Sequence, residues 1–394
     1  MQPKMEQNQA VKKPAAHGPV PAFSQPLHVG KPNIGDRQAF LNRVNQILDD
    51  QWLTNNGPLV QELEHRVAEL HGVRHCVAMC NGTIALEIAI RALGLSGEVI
   101  VPSYTFVATA HALSWQGITP IFADIDPATH NLDPVSVRRC ITPHTTGIIG
   151  VHLWGRPAPI AELQQIAAEH ELQLMFDAAH AFGCSLGGTR IGNFGRCEVL
   201  SFHATKVFNS FEGGAVLTND DALAETMRLM RNFGFAGFDN VIHPGTNGKL
   251  TEVHAAMGLT NLEAFPVFVE ANRLRHEIYS EQLASIEGVR LIQYSDQNSP
   301  NYQYVVIELE QGQVQRDRLV AGLHEHNVLA RKYFWPGCHG MKLYREQFPN
   351  AGIHLPQTLH IAERVVVLPT GQSLAPEDVR KIAMLVKDIL KATP

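Results

Sequence analysis

His75-Cys76-Val77-Ala78-Met79-Cys80, then Asn81-Gly82-Thr83, then Ile84 to Leu93: a short apolar run, a polar turn and an amphipathic helix follow one another without a spacer. An apolar run of this length, bounded by a turn, reads as a buried strand. A strand that feeds straight into a helix is the building unit of a parallel sheet. The rhythm then repeats. Glu98-Val99-Ile100-Val101 is a strand followed by a helix from about Phe106 to Trp115, and Pro120 to Ala123, Gly147 to His152 and Leu172 to Asp177 continue it. Upstream, Arg37 to Asp50 and Gly57 to His71 have helical spacing, and Gly57-Pro58 is a good helix entry. These lengths predict an α/β fold whose mostly parallel sheet is covered on both faces.

Farther along, Thr251 to Ala271 reads as a long helix able to bridge two domains, with Pro266 expected to kink or break it. Strand patterns at Val289 to Gln293, Tyr302 to Leu309 and Arg364 to Leu368 alternate with helices at Arg316 to Asn327 and Pro376 to Ala392. The expected organisation is a disordered tail over 1–26, a large domain over 27–264 and a smaller α+β domain over 265–394. The tail carries Lys, Gln, Pro and Ala with almost no large apolar residues.

The 394 residues are 45% hydrophobic and 18% charged, an ordinary globular composition long enough for two domains. The net charge of −6, without a long basic run, gives no electrostatic case for nucleic acid or an anionic membrane as partner. The six cysteines lack CxxC spacing and read as free buried thiols of a cytoplasmic protein rather than disulfides or a metal site. Neither a signal peptide nor a membrane-spanning run is legible.

Four places carry chemistry. Lys206, in Ser201-Phe202-His203-Ala204-Thr205-Lys206, lies between the apolar run Glu198 to Phe202 and another opened by Glu212-Gly213-Gly214. An ammonium is costly to bury there, and lysine is the side chain that most readily sheds its proton on burial to act as a Schiff-base amine. Asp177 ends the strand Leu172 to Phe176, where ligands of parallel sheets bind, although a helix N-cap explains it as well. Asn81-Gly82-Thr83 offers an anion site at a helix start, or merely a structural cap, and Ser201 can add a hydroxyl. Phe106 can stack on a flat ring or simply fill core. An amine, a carboxylate for a ring nitrogen, an anion cradle and a stacking face together match the needs of pyridoxal 5′-phosphate.

These segments resemble the motifs of the DegT/StrS family of nucleotide-sugar aminotransferases. The likeness is carried by Ser201 to Lys206 with Glu212-Gly213-Gly214 and by Phe176-Asp177-Ala178-Ala179-His180-Ala181-Phe182-Gly183. It extends to Asn81 to Leu86, Pro102 to Thr109 and Met230-Arg231-Asn232-Phe233-Gly234, in the family's order. The resemblance implies an aspartate aminotransferase-like fold (fold type I), in a homodimer with active sites at the subunit interface. It implies Lys206 as the Schiff-base lysine and Asp177 as partner of the ring nitrogen. His180 stands where the family often has Gln, against the cofactor's phenolic oxygen. Gly82, Thr83 and Ser201 are implied to hold the phosphate, Phe106 to stack on the ring, and Asn232 to reach the phosphate from the neighbouring subunit.

Longer stretches resemble the subgroup that aminates C4 of dTDP-4-keto-6-deoxyglucose, with glutamate as donor: Leu53 to Pro58, His152 to Arg156, Gly245 to Lys249 and Tyr333 to His339. Lys249, Arg331 and Lys332 are candidates for the substrate's pyrophosphate, and His203, Trp154 and Tyr333 for its sugar or nucleotide. Relatives with His in place of the lysine are sugar dehydratases, so Lys206 favours transamination. The alternatives are a 3-keto-sugar aminotransferase, a dehydratase, a lyase, or a non-catalytic regulator on the same fold.

Overall fold

The computed structural model describes residues 20–295 and 298–392. Seven strands form the central sheet: β1 (His75–Met79), β2 (Glu98–Pro102), β3 (Thr119–Ala123), β4 (Thr145–Val151), β5 (Gln173–Asp177), β6 (Glu198–Ser201) and β7 (Gly214–Thr218). Their spatial order is β1-β7-β6-β5-β4-β2-β3. Neighbours from β3 through β6 are parallel, and β7 runs antiparallel to both β6 and β1. The strand interiors are apolar on both faces because both faces are covered. Val77, Met79, Val99 and Val101 join the helix Gly82–Ala92 in one cluster, while Ala78, Leu200, Ala215 and Leu217 face the other side. Each of the valines, leucines and methionine among them contributes about 1.5–3 kcal/mol when removed from water.

The expected helix at Thr251 to Ala271 is longer than its pattern and unbroken, running Glu252–Leu283 straight through Pro266. Its first half packs on the helices Arg37–Asp50 and Pro58–His71 and its second on Pro376–Lys391. The contacts of both halves outweigh the roughly 3 kcal/mol that an interior proline costs. The division expected at 264/265 falls inside this helix.

Beyond it, Val289–Leu291, Val305–Leu309 and Val365–Leu368 form a three-stranded antiparallel sheet backed by Gln313–Glu325 and Pro376–Lys391. The middle strand starts at Val305 rather than Tyr302. The backbone amide of Gln303 is instead taken by the side chain of Asn301, and Tyr302 has φ 51°. Of the expected tail, residues 1–19 lie outside the described residues. Residues 20–26 are described, and Phe23 is buried in the cluster around the smaller sheet, its carbonyl accepting from Asn327 Nδ2 at 2.6 Å.

Candidate active site

The C-terminal ends of the parallel strands and the start of β7 meet at one edge of the sheet, where a cavity of about 330 Å³ opens. Gly82, Thr83, Phe106, Asp177, His180, Ser201, His203, Lys206 and Tyr333 all line it, although they come from five separate segments. Asp177 is the last residue of β5. Its Oδ2 accepts from Thr109 Oγ1 at 2.8 Å and its Oδ1 from the amide of Ala179 at 3.1 Å. No helix follows it, so the carboxylate braces a turn rather than capping a helix.

Lys206 sits in a tight turn, its amide donating to the His203 carbonyl at 2.9 Å. Its amino group has neither a hydrogen bond nor an ion pair among the described residues. Burial lowers its pKa to about 8, and the Asp177 carboxylate pulls it part of the way back up. A lysine held there is neutral far more often near neutral pH than a solvated lysine, and a nucleophile or a base requires the neutral form.

His180 is buried against Trp154, Phe334 and Tyr304. The Trp154 amide donates to its Nδ1 at 3.3 Å, which leaves the proton on Nε2. Burial, and then the Lys206 charge, hold its pKa well below the usual imidazole range. The ring is therefore a neutral donor at Nε2.

Asn81 caps the helix Gly82–Ala92, its Oδ1 accepting from Ile84 N at 2.8 Å. The cap and the anion site coexist, because the amides of Gly82 and Thr83 lie ahead of the first helical bond and are left unbonded among the described residues. Two glycines keep that turn open to close approach. A Cβ on Gly214 would come within 2.6 Å of the Gly82 nitrogen, and one on Gly82 within 3.1 Å of the Ser201 Cβ. Phe106 is 59% exposed, so it is a wall of the cavity and not core.

Five expected residues do not line this cavity, among them Arg331, which lies over the Tyr333 ring, and Lys332, which pairs with Asp317 at 3.1 Å. Trp154, expected beside sugar or nucleotide, is fully buried behind the wall, stacked on His180 and Phe334, with its indole N–H on His130 Nδ1 at 3.2 Å. Lys249 and Asn232 line a separate hollow with Asn55, Asn56 and Arg231. There Lys249 Nζ donates to Asn247 at 2.7 Å and lies 4.7 Å from the centre of the Phe233 ring.

Sequence reasoning missed others. Thr109, which holds Asp177, lies on the helix that follows Phe106, close enough in sequence for the proposed wall to have pointed to it. Glu212 lines the cavity and pairs with His203 at 3.5 Å. Tyr304 and Phe334 reach the cavity from the smaller sheet's side, and no local pattern announces that.

The sequence profile of the DegT/DnrJ/EryC1/StrS aminotransferase family matches residues 35–387. A dTDP-4-amino-4,6-dideoxy-D-glucose transaminase of Shigella dysenteriae is 37% identical over 370 residues, 93% of this chain and 100% of that protein. A transaminase of the same name from Escherichia coli is 34% identical over 363 residues, 91% of this chain and 97% of that one. Among solved structures, DesI in the presence of its TDP-sugar product superimposes with a TM-score of 0.90 at 48% identity, covering 94% of this chain and 95% of its own.

Proposed function

We infer that this chain, which belongs to the DegT/DnrJ/EryC1/StrS aminotransferase family, is a pyridoxal 5′-phosphate-dependent nucleotide-sugar aminotransferase of fold type I. It moves an amino group from glutamate to C4 of dTDP-4-keto-6-deoxyglucose, giving dTDP-4-amino-4,6-dideoxyglucose. The observation that carries this reading is an unpartnered amine, Lys206, sharing a cavity with the Asp177 carboxylate and an open helix start. The choice of C4 and of the dTDP group follows the names of the two curated relatives.

The residues fit the cofactor. Bare amides at Gly82 and Thr83, with the Ser201 hydroxyl, suit a phosphate dianion at a helix N-terminus. The exposed face of Phe106 suits a flat ring, and the neutral Nε2–H of His180 suits a phenolic oxygen that Gln would otherwise contact. Bound there, pyridoxal phosphate supplies an aldehyde for an amine to join and a protonated ring that draws electrons from the adjoining carbon.

Lys206 Nζ provides the resident amine. Once the amino donor has displaced it, it takes the proton from the donor's α-carbon, and in the second half-reaction it delivers a proton to C4 of the sugar. Asp177, steadied by Thr109 and Ala179, presents the carboxylate that keeps a proton on the ring nitrogen. The aromatic wall of Phe106, Tyr304, Tyr333 and Phe334 limits water at the reacting carbon. Lys249, Arg331 and Lys332 are the cations proposed for the substrate's pyrophosphate.

The homodimer is part of the same reading. Asn232 and Lys249 lie in a segment whose Phe233, Phe235, Phe238, Val241 and Ile242 are exposed, an apolar surface suited to a second copy. In that arrangement both residues serve the other subunit's cavity.

The test begins with reconstitution. Protein given pyridoxal phosphate shows a visible absorbance band that Lys206→Ala loses, and glutamate alone releases one 2-oxoglutarate per site. A band that survives in Lys206→Ala sinks the lysine assignment. A panel of dTDP- and UDP-linked 3-keto and 4-keto sugars then identifies the acceptor, and preference for a 3-keto sugar overturns the C4 assignment.

A further inference from the structure

The residue after the lysine is gripped from two sides by side chains remote in sequence. The amide of Val207 donates to Gln303 Oε1 at 3.0 Å, and its carbonyl accepts from Asn33 Nδ2 at 3.1 Å. All three residues are buried, Asn33 at 4% and Gln303 at 6% exposure. Asn33 precedes the helix Arg37–Asp50, and Gln303 leads into the strand Val305–Leu309.

Each gripping side chain is itself anchored. Asn33 offers its carbonyl to Asn209 Nδ2 at 2.9 Å, and at Gly30 a Cβ would come within 2.8 Å of the Thr205 Cβ, so the segment 30–33 lies directly on the lysine turn. The Gln303 amide donates to Asn301 Oδ1 at 3.0 Å. Asn301 Nδ2 in turn donates to the His180 carbonyl at 2.9 Å and the Phe182 carbonyl at 3.1 Å. One polar chain thus links the backbone of the Lys206 turn with that of the His180 turn. The Gln303 side chain also bonds that of Tyr304, a wall of the cavity.

We propose that Gln303 and Asn33 are positioning residues that clamp the Lys206 turn and set its distance from His180. The proposal rests on Lys206 being the reactive amine. A lysine that must leave the cofactor, carry a proton between two carbons and return needs a backbone that stays still while its side chain swings. The clamp also keeps the turn seated, and with it the desolvation that brings the amine to about 8. The titratable groups that share the cavity with this amine are Asp177, His180, His203, Glu212, Tyr304 and Tyr333.

Two readouts on the full chain test the clamp. In cofactor-free protein, the pH dependence of Lys206 acylation by acetic anhydride, followed by peptide mapping, reports the amine's apparent pKa. Gln303→Leu, which keeps the bulk and deletes the acceptor, raises it by at least about half a unit as the loosened turn admits water. Asn33→Ala shifts it in the same direction as Gln303→Leu. The second readout is borohydride trapping of pyridoxal phosphate on Lys206, which slows roughly ten-fold in Gln303→Leu and Asn33→Ala.

A wild-type acylation profile and trapping rate in both variants, whatever happens to their melting points, overturns the proposal. Should Gln303→Leu fail to fold, Asn33→Ala decides alone. If wild-type protein traps no pyridoxal phosphate at Lys206, the cofactor reading falls, while the acylation profile still tests the clamp.

Discussion

Lys206 and Asp177 form an unequal pair. Burial takes the lysine down to about 8 against an attraction from the carboxylate that only partly offsets it. Asp177→Asn removes that attraction, so acylation titrations should place the amine below about 8, and transamination should fall by about 10²–10⁴. The same shift bears on stability. The unfolded lysine titrates at 10.5 and the folded one at about 8. Between these values the unfolded chain binds more protons, and stability rises with pH. At or below pH 8 the folded chain carries a charge that its surroundings disfavour. Lys206→Met should therefore stabilise the cofactor-free protein at pH 7 by on the order of 1 kcal/mol, an advantage that fades toward pH 10 in thermal melts. Both residues are legible in the sequence because each is an odd polar residue beside apolar runs, Asp177 at the end of one and Lys206 between two. Thr109 and Gln303 are not, since their roles exist only once distant segments meet.

At the scale of elements, what was legible was what is locally specified. The helix Arg37–Asp50 was readable to its last residue because Asp36 accepts from the Ala39 amide at its start and Gln51 turns left-handed, φ 53°, at its end. The helix through Pro266 was not, because its continuity is paid for by contacts along both halves and not by its own sequence. The anion cradle is an element-scale device. It needs the helix start Gly82 and the strand start Gly214 to touch backbone to backbone. Gly214→Ala would drive a methyl to 2.6 Å from the Gly82 nitrogen and 2.7 Å from the Asn81 carbonyl carbon. The expected outcome is at least a ten-fold weaker affinity for pyridoxal phosphate, measured by fluorescence titration, and a loss of about 1–3 kcal/mol in stability.

For the whole molecule, the sequence signalled two sheets through the change of pattern after the long helix, but not which loops join them. Asp124, just past β3, is one such join. Its buried carboxylate accepts from Gln357 N at 2.9 Å, Thr358 N at 2.7 Å and Thr358 Oγ1 at 2.8 Å. Asp124→Ala strands these donors and should cost about 1–3 kcal/mol in urea melts. It should also weaken substrate binding through the displaced wall residues Tyr333 and Phe334. Nothing near Asp124 in the sequence marks it, because its partners lie more than two hundred residues away. Such joins decide where the smaller sheet's aromatic residues stand, and those residues close the cavity.

The antiparallel course of β7 acts as a gauge. Gly214 pairs with Met79 on one side and with Ser201 on the other, so the anion cradle and the lysine loop are counted off from one rung of a ladder. Side-chain changes within Phe202 to Gly213 leave that count intact. Deleting one residue there does not, since it shortens the path by about 3.3 Å and forces either the rung or the amine out of step. The spacing between the Lys206 turn and the open helix start at Gly82 is thus written in chain length, and loop deletions should be far less forgiving than loop substitutions.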